Sequence, residues 1–265
     1  MFTWLLQSFA DQPVLVQGLA PEGMLSPSEA QRLDEFHIPK RRNEWLLGRW
    51  TAKKLIQSYI EQQTHIRPPL NTLVISNDPD GAPTFSLAAG WSRESPHGGP
   101  YRDLWARPNL HLSISHRGEY AFCALSHRRQ TVIGADIERI EPRDWSFVED
   151  FFTPNEATQI ATAGSVGQDF VATLFWSAKE AVLKALRLGL TVDTRSVECL
   201  LPNTNPVASN NWHALQINAS ALLPTRGVNK RTSPLPPTFR ARPRLEVIWR
   251  MIDGYVLTIA LFTKM

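Results

Sequence analysis

The feature that most constrains this 265-residue chain is an internal echo. Phe36-His37-Ile38-Pro39 returns as Phe151-Phe152-Thr153-Pro154, and Trp50-Thr51-Ala52-Lys53 returns as Trp176-Ser177-Ala178-Lys179. A looser third echo sets Tyr120 to Leu125 against Tyr255 to Leu261. The three matches keep their order at offsets of 115, 126 and 135 residues, so each half reads as proline turn, long helix, loops and final strand. A repeat sets the architecture before any single motif does. The expectation is a pseudo-duplicated α+β fold of two lobes, residues 1–128 and 129–265, each a small antiparallel sheet packed with a long helix.

Local signals fill in that frame. Ser26-Pro27 has the form of an N-cap followed by proline at the first helical position, predicting a helix over 26–36; others are predicted over 41–60 and 168–188. β-branched or alternating residues predict strands at 13–18, 72–76, 110–115, 119–126, 131–138, 245–251 and 254–262. Residues 89–109 and the proline-rich 202–243 read as loops, with a strand and turn inside the second at 212–223. The first residues carry no basic stretch and no small-residue cleavage site, and no apolar run approaches the 18 or so residues of a membrane helix. Two cysteines in apolar surroundings, Cys123 and Cys199, read as core thiols. A cytoplasmic protein with no membrane partner is expected. The net charge of +3 leans only slightly toward anionic partners.

The candidate chemistry gathers in two segments. In TVIGADIERI, residues 131–140, Asp136 and Glu138 stand two apart on a strand and face the same side. Taken alone, such a pair reads as a solvated strand end whose acids meet Arg139 or Arg143. In FWSAKEAVLKALRLGL, residues 175–190, Phe175, Val182, Leu183 and Leu186 form a buried helical stripe while Glu180 and Lys184 share another face. That spacing is also an ordinary surface pair worth about 0.3 kcal/mol. Together, two strand carboxylates and a helical Glu and Lys suit a hard divalent cation, which magnesium sites share with substrate phosphates. Phosphate contacts are expected from Ser113, Ser115 and His116 before the Arg117-Gly118 turn, and from Lys40, Arg41, Arg42, Arg49 and Lys53. A solvated basic face or a nucleic-acid surface are the other readings of that second group.

In order and spacing these segments resemble the surfactin-type 4′-phosphopantetheinyl transferases. The strings that carry the resemblance are Ser113-Ile114-Ser115-His116 through Tyr120, Gly134-Ala135-Asp136-Ile137-Glu138, and Trp176 through Leu190, with weaker pieces at Asp80 to Pro83 and Arg41 to Arg49. The resemblance implies transfer of phosphopantetheine from coenzyme A to a serine of an apo carrier protein (acyl, peptidyl or polyketide carrier), releasing 3′,5′-ADP. It implies that Asp136, Glu138 and Glu180 bind Mg2+ and that Glu180 takes the proton of the carrier serine. Lys184 would stabilise phosphate charge, Ser115 and His116 would touch the nucleotide end, and Arg42, Arg49 and Lys53 would hold the outer phosphates. Ala82, where a lysine is common, and Leu188 depart from the pattern. A monomer without nucleic-acid partners is expected; a metal-dependent nuclease and a non-catalytic carrier-binding protein are the rivals.

Overall fold

The computed structural model describes residues 2–88, 110–128, 130–164, 167–201, 211–222 and 244–263. Most of the two expected loops lies outside the described residues. The chain divides into two compact units, Met1–Arg129 and Gln130–Met265. Among the described residues no helix is long and apolar enough to cross a membrane.

In unit 1, strand β1 (Phe2–Ser8) pairs antiparallel with β5 (Tyr120–Ser126), which pairs antiparallel with β4 (His111–Arg117); β2 (Leu73–Asn77) and β3 (Pro83–Leu87) form a separate hairpin. Helices α1 (Pro27–Asp34) and α2 (Pro39–Thr64) precede the hairpin. Along α2, Ala52, Leu55, Ile56, Tyr59 and Ile60 bury one stripe against Leu73, Ile75, Leu112, Cys123 and Leu125. Residues 13–17, expected as a strand, form a 3-10 helix. Pro13 sits at its first position, Leu15 alone goes fully into the core and Gly18 closes it with a left-handed φ of 73°. Five residues bounded by proline and glycine leave the β-branched pair no room to alternate faces.

Unit 2 orders its sheet β6 (Thr131–Arg139), β10 (Tyr255–Thr263), β9 (Arg244–Ile252), β8 (His213–Asn218) and β7 (Glu198–Leu200), with antiparallel pairing throughout. Helices α3 (Trp145–Phe151), α4 (Pro154–Thr162) and α5 (Gln168–Ala185) lie between β6 and β7 in the chain. Val171, Leu174, Phe175, Ala178, Val182 and Leu183 of α5 share a core with Val247, Trp249, Val256 and Phe262 of the sheet. The architecture is α+β with antiparallel sheets, as expected.

Each unit contains the same buried staple. In unit 1, Ser26 caps α1 in a capping box with Glu29, whose Oε1 accepts the Ile75 amide of β2 at 3.1 Å. The same carboxylate meets the Lys53 ammonium from α2 at 2.5 Å. In unit 2, Thr153 caps α4 in a capping box with Glu156, whose Oε1 accepts the Cys199 amide of β7 at 2.8 Å and whose Oε2 meets the Lys179 ammonium from α5 at 2.9 Å. All four charged side chains are at most 4% exposed. The repeat is therefore real, but its first echo is shifted: Thr153-Pro154 answers Ser26-Pro27, 127 residues earlier, not Ile38-Pro39. Proline opens α1, α2 and α4 alike, so proline alone misleads; the glutamate two residues after it identifies the partner.

Candidate functional site

Helix α5 packs on β6, which bears Asp136 and Glu138 two residues apart on one face. Asp136 is 3% exposed, and the Lys184 ammonium donates to its Oδ1 at 2.6 Å. Arg143 donates to Glu138 Oε2 at 3.3 Å while its guanidinium lies 4.8 Å from the centre of the Phe147 ring. The plainer reading of the acidic pair is thus half met, since Arg143 does engage Glu138, but the buried Asp136 is held by a lysine from another element. Glu180 is half-buried, one turn before Lys184. Burial pushes its carboxyl above the usual range, Lys184 pulls it down, and Asp136 and Glu138 push it up again. Burial works against the charge on Lys184, yet Asp136, Glu180 and Glu138 together raise its pKa.

Three carboxylates and one lysine therefore form a single electrostatic group. Among the described residues, however, no group of three or more His, Cys, Asp or Glu side chains stands close enough to hold a metal ion as it is. The predicted triad is gathered around the Lys184 ammonium rather than into a preformed cage. Its donor chemistry still fits a hard cation: all oxygen, mutually repulsive, partly buried. Magnesium commonly takes only one or two protein carboxylates and completes its shell with water and substrate phosphate, so a finished cage is not required of the free protein.

Unit 1 holds a cavity of about 780 Å³ lined in part by Arg41, Trp45, Arg49, Gly81, Pro83 and His116. The Arg49 guanidinium stacks 5.0 Å from the Trp45 ring and donates to Asn77 Oδ1 at 3.1 Å. The Nε of Arg49 is buried and makes no hydrogen bond among the described residues. His116 Nδ1 lies 4.0 Å from Glu44 with its side chain 44% exposed, whereas Ser115 before it is buried at 6%. Arg41, Arg49 and His116, three of the predicted phosphate contacts, therefore open on one cavity. Gly81 has a left-handed φ of 85° and its carbonyl is held by Asn77, which places the Asp80 to Pro83 turn on the same wall.

Two predicted contacts are committed elsewhere. Lys53 is fully buried, and its three donors go to Glu29, to the Met24 carbonyl at 2.8 Å and to the Leu70 carbonyl at 3.0 Å. Arg42 donates to the carbonyls of Gly18 at 2.8 Å and Leu33 at 2.6 Å, tying the chain before α1 and the end of α1 to α2. Their helical spacing suited a basic face; burial and backbone bonds give them to the fold. The sequence reading also passed over the wall around Trp45: Arg32 lies 5.4 Å from the Phe36 ring, and Phe36 lies 5.5 Å from Trp45. The four-residue step from Arg32 to Phe36 on and after α1 was the available signal.

Residues 132–227 match the model of the 4′-phosphopantetheinyl transferase superfamily. The chain is 28% identical over 199 residues to the 4′-phosphopantetheinyl transferase HetI of a Nostoc species, covering 74% of this chain and 73% of that protein. It is 32% identical over 106 residues to the 4′-phosphopantetheinyl transferase gsp of Aneurinibacillus migulanus, covering 39% of this chain and 41% of that protein. Among solved structures, a complex of ACPS with CoA from Chronobacterium ammoniagenes covers 48% of this chain and 97% of its own at 23% identity and a TM-score of 0.33.

Proposed function

We propose, for a chain whose residues 132–227 match the 4′-phosphopantetheinyl transferase superfamily, that it moves phosphopantetheine from coenzyme A to a serine of an apo carrier protein. The observation that carries this reading is the half-buried Glu180, held beside Asp136, Glu138 and Lys184 on unit 2. A carboxylate kept among like charges is a proton acceptor and a cation ligand, and it is poised for both only when a positive charge arrives.

Asp136, Glu138 and Glu180 would hold Mg2+ together with the pyrophosphate of coenzyme A. The ion supplies charge neutralisation on the phosphate oxygens. Lys184 adds a second positive charge to the same oxygens. Glu180 accepts the proton of the carrier serine Oγ, that oxygen forms a bond to the β-phosphorus, and the bond to the oxygen of the leaving 3′,5′-ADP breaks. Catalysis of this kind is mostly positioning and neutralisation, which suits a site built of charged groups on one strand and one helix. In unit 1, Arg41, Arg49 and His116 line a cavity beside the Trp45 ring, a lining that suits phosphate and a nucleobase.

Incubation with coenzyme A, magnesium and an apo carrier should release 3′,5′-ADP, detected by chromatography, and a chelator should stop it; release that ignores the chelator would remove the metal from the account. Arg49→Ala is expected to raise the KM for coenzyme A by about 10-fold to 100-fold with little change in kcat, because a charged hydrogen bond to phosphate is worth about 1.5–3 kcal/mol. An unchanged KM would take Arg49 out of the binding set.

A further inference from the structure

One glycine of the acidic strand has no conformational reason to be glycine. Gly134 is not among the positive-φ residues. What sets it apart is space. A β-carbon built on Gly134 would stand 1.9 Å from the Ala181 carbonyl oxygen and 2.6 Å from the Ala185 nitrogen of α5. Both are backbone atoms, so no side-chain rotation makes room, and any other residue must lift the helix from the strand.

The contact also falls at a telling point. Gly134, Asp136 and Glu138 alternate onto the same face of β6, the face on which α5 lies. Ala181 and Ala185 bracket Lys184, whose ammonium reaches Asp136 at 2.6 Å, and Ala181 directly follows Glu180. Ala178, Ala181 and Ala185 are all at most 3% exposed, so the helix meets the sheet through its smallest side chains. A lift of about one ångström here is enough to break a hydrogen bond of that length.

We propose that Gly134 is a positioning residue: its missing side chain seats α5 on β6 at the depth where Lys184 reaches Asp136 and Glu180 joins the two strand carboxylates. The link to transfer rests on the function proposed above; the depth of the helix does not.

The test is a double-mutant cycle over wild type, Gly134→Ala, Lys184→Ala and the double variant, read both as urea stability and as kcat and KM. Gly134→Ala should keep a cooperative unfolding transition and lose about 100-fold in kcat, the scale of a misplacement near one ångström. Lys184→Ala, costly in both readouts in the wild type, should then add less than about threefold in the Gly134→Ala background, because the pair it breaks is already apart. Losses that multiply in both readouts, or a Gly134→Ala protein within about threefold of wild type, would overturn the proposal. Should Gly134→Ala not fold, Ala185→Val lifts the same contact from the helix side and enters the same cycle with the same criteria. If wild type transfers nothing to any carrier, the function above fails while the stability cycle still decides the role of Gly134.

Discussion

Lys179→Met is expected to cost unit 2 about 3–5 kcal/mol of stability, the usual penalty for removing one partner of a buried ion pair. The Lys179 and Glu156 side chains are fully buried, and methionine nearly matches lysine in length while carrying no charge. Glu156 would be left as an uncompensated anion in the core beside the Thr153 and Cys199 amides that donate to it, and the carbonyls of Thr194 and Val197 would each lose their lysine donor. The motif string containing Lys179 invites a catalytic role, since Glu180 is its neighbour. Its geometry says otherwise: it anchors α5 from inside the core while Glu180 emerges beside Asp136 and Glu138. Urea denaturation checks the magnitude. A second variant, Lys179→Met with Glu156→Gln, should recover part of the loss, because the uncompensated charge goes with it. A single variant within about 0.5 kcal/mol of wild type would mean that the staple contributes nothing beyond packing.

Glu180→Gln is expected to lower the transfer rate by about 10²-fold to 10⁴-fold, the range for a positioned proton acceptor. It should do so without lowering stability near neutral pH. Burial first, joined by Asp136 and Glu138 and opposed by Lys184, holds the folded-state pKa of Glu180 above its unfolded value. The folded protein therefore disfavours the ionised form, a penalty that is present in full above the folded pKa and fades as pH falls toward the unfolded one. Glutamine removes that penalty, so the variant should melt at or above the wild-type temperature at neutral pH while losing activity. A variant that keeps wild-type rates would show that the proton goes elsewhere. A variant that melts well below wild type would show that Glu180 serves the fold.

Much of this was legible from residue types and spacing. Helices α2 and α5 announce themselves by apolar stripes long enough to decide the period, and six strands fall close to their expected positions because β-branched alternation survives in them. The acidic strand and the Glu180 to Lys184 step could be read because charge on an otherwise apolar element is conspicuous. What could not be read is where a cation ends. Arg42, Arg49 and Lys53 share one helical spacing, yet Arg49 opens on a cavity, Arg42 ties backbone carbonyls and Lys53 is sealed in the core. Those fates depend on Gly18, Leu33, Met24 and Glu29, all remote in sequence and without periodic signature. Strand β1 was missed for a related reason: its residues are uniformly half-buried, so no alternation marks it, and only pairing with β5 makes it a strand. The staples were within reach, since Ser26 to Glu29 and Thr153 to Glu156 both spell a capping box. The echo of proline was followed instead of the echo of glutamate.

The most direct test is the intact mass of an apo acyl carrier protein and an apo peptidyl carrier domain after incubation with this protein, coenzyme A and magnesium. A mass gain of one phosphopantetheine on the carrier serine, absent with chelator and far slower with Glu180→Gln, is the expected result. Carriers that keep their apo mass while the folded protein binds coenzyme A would contradict transfer and leave a protein that binds the donor without using it.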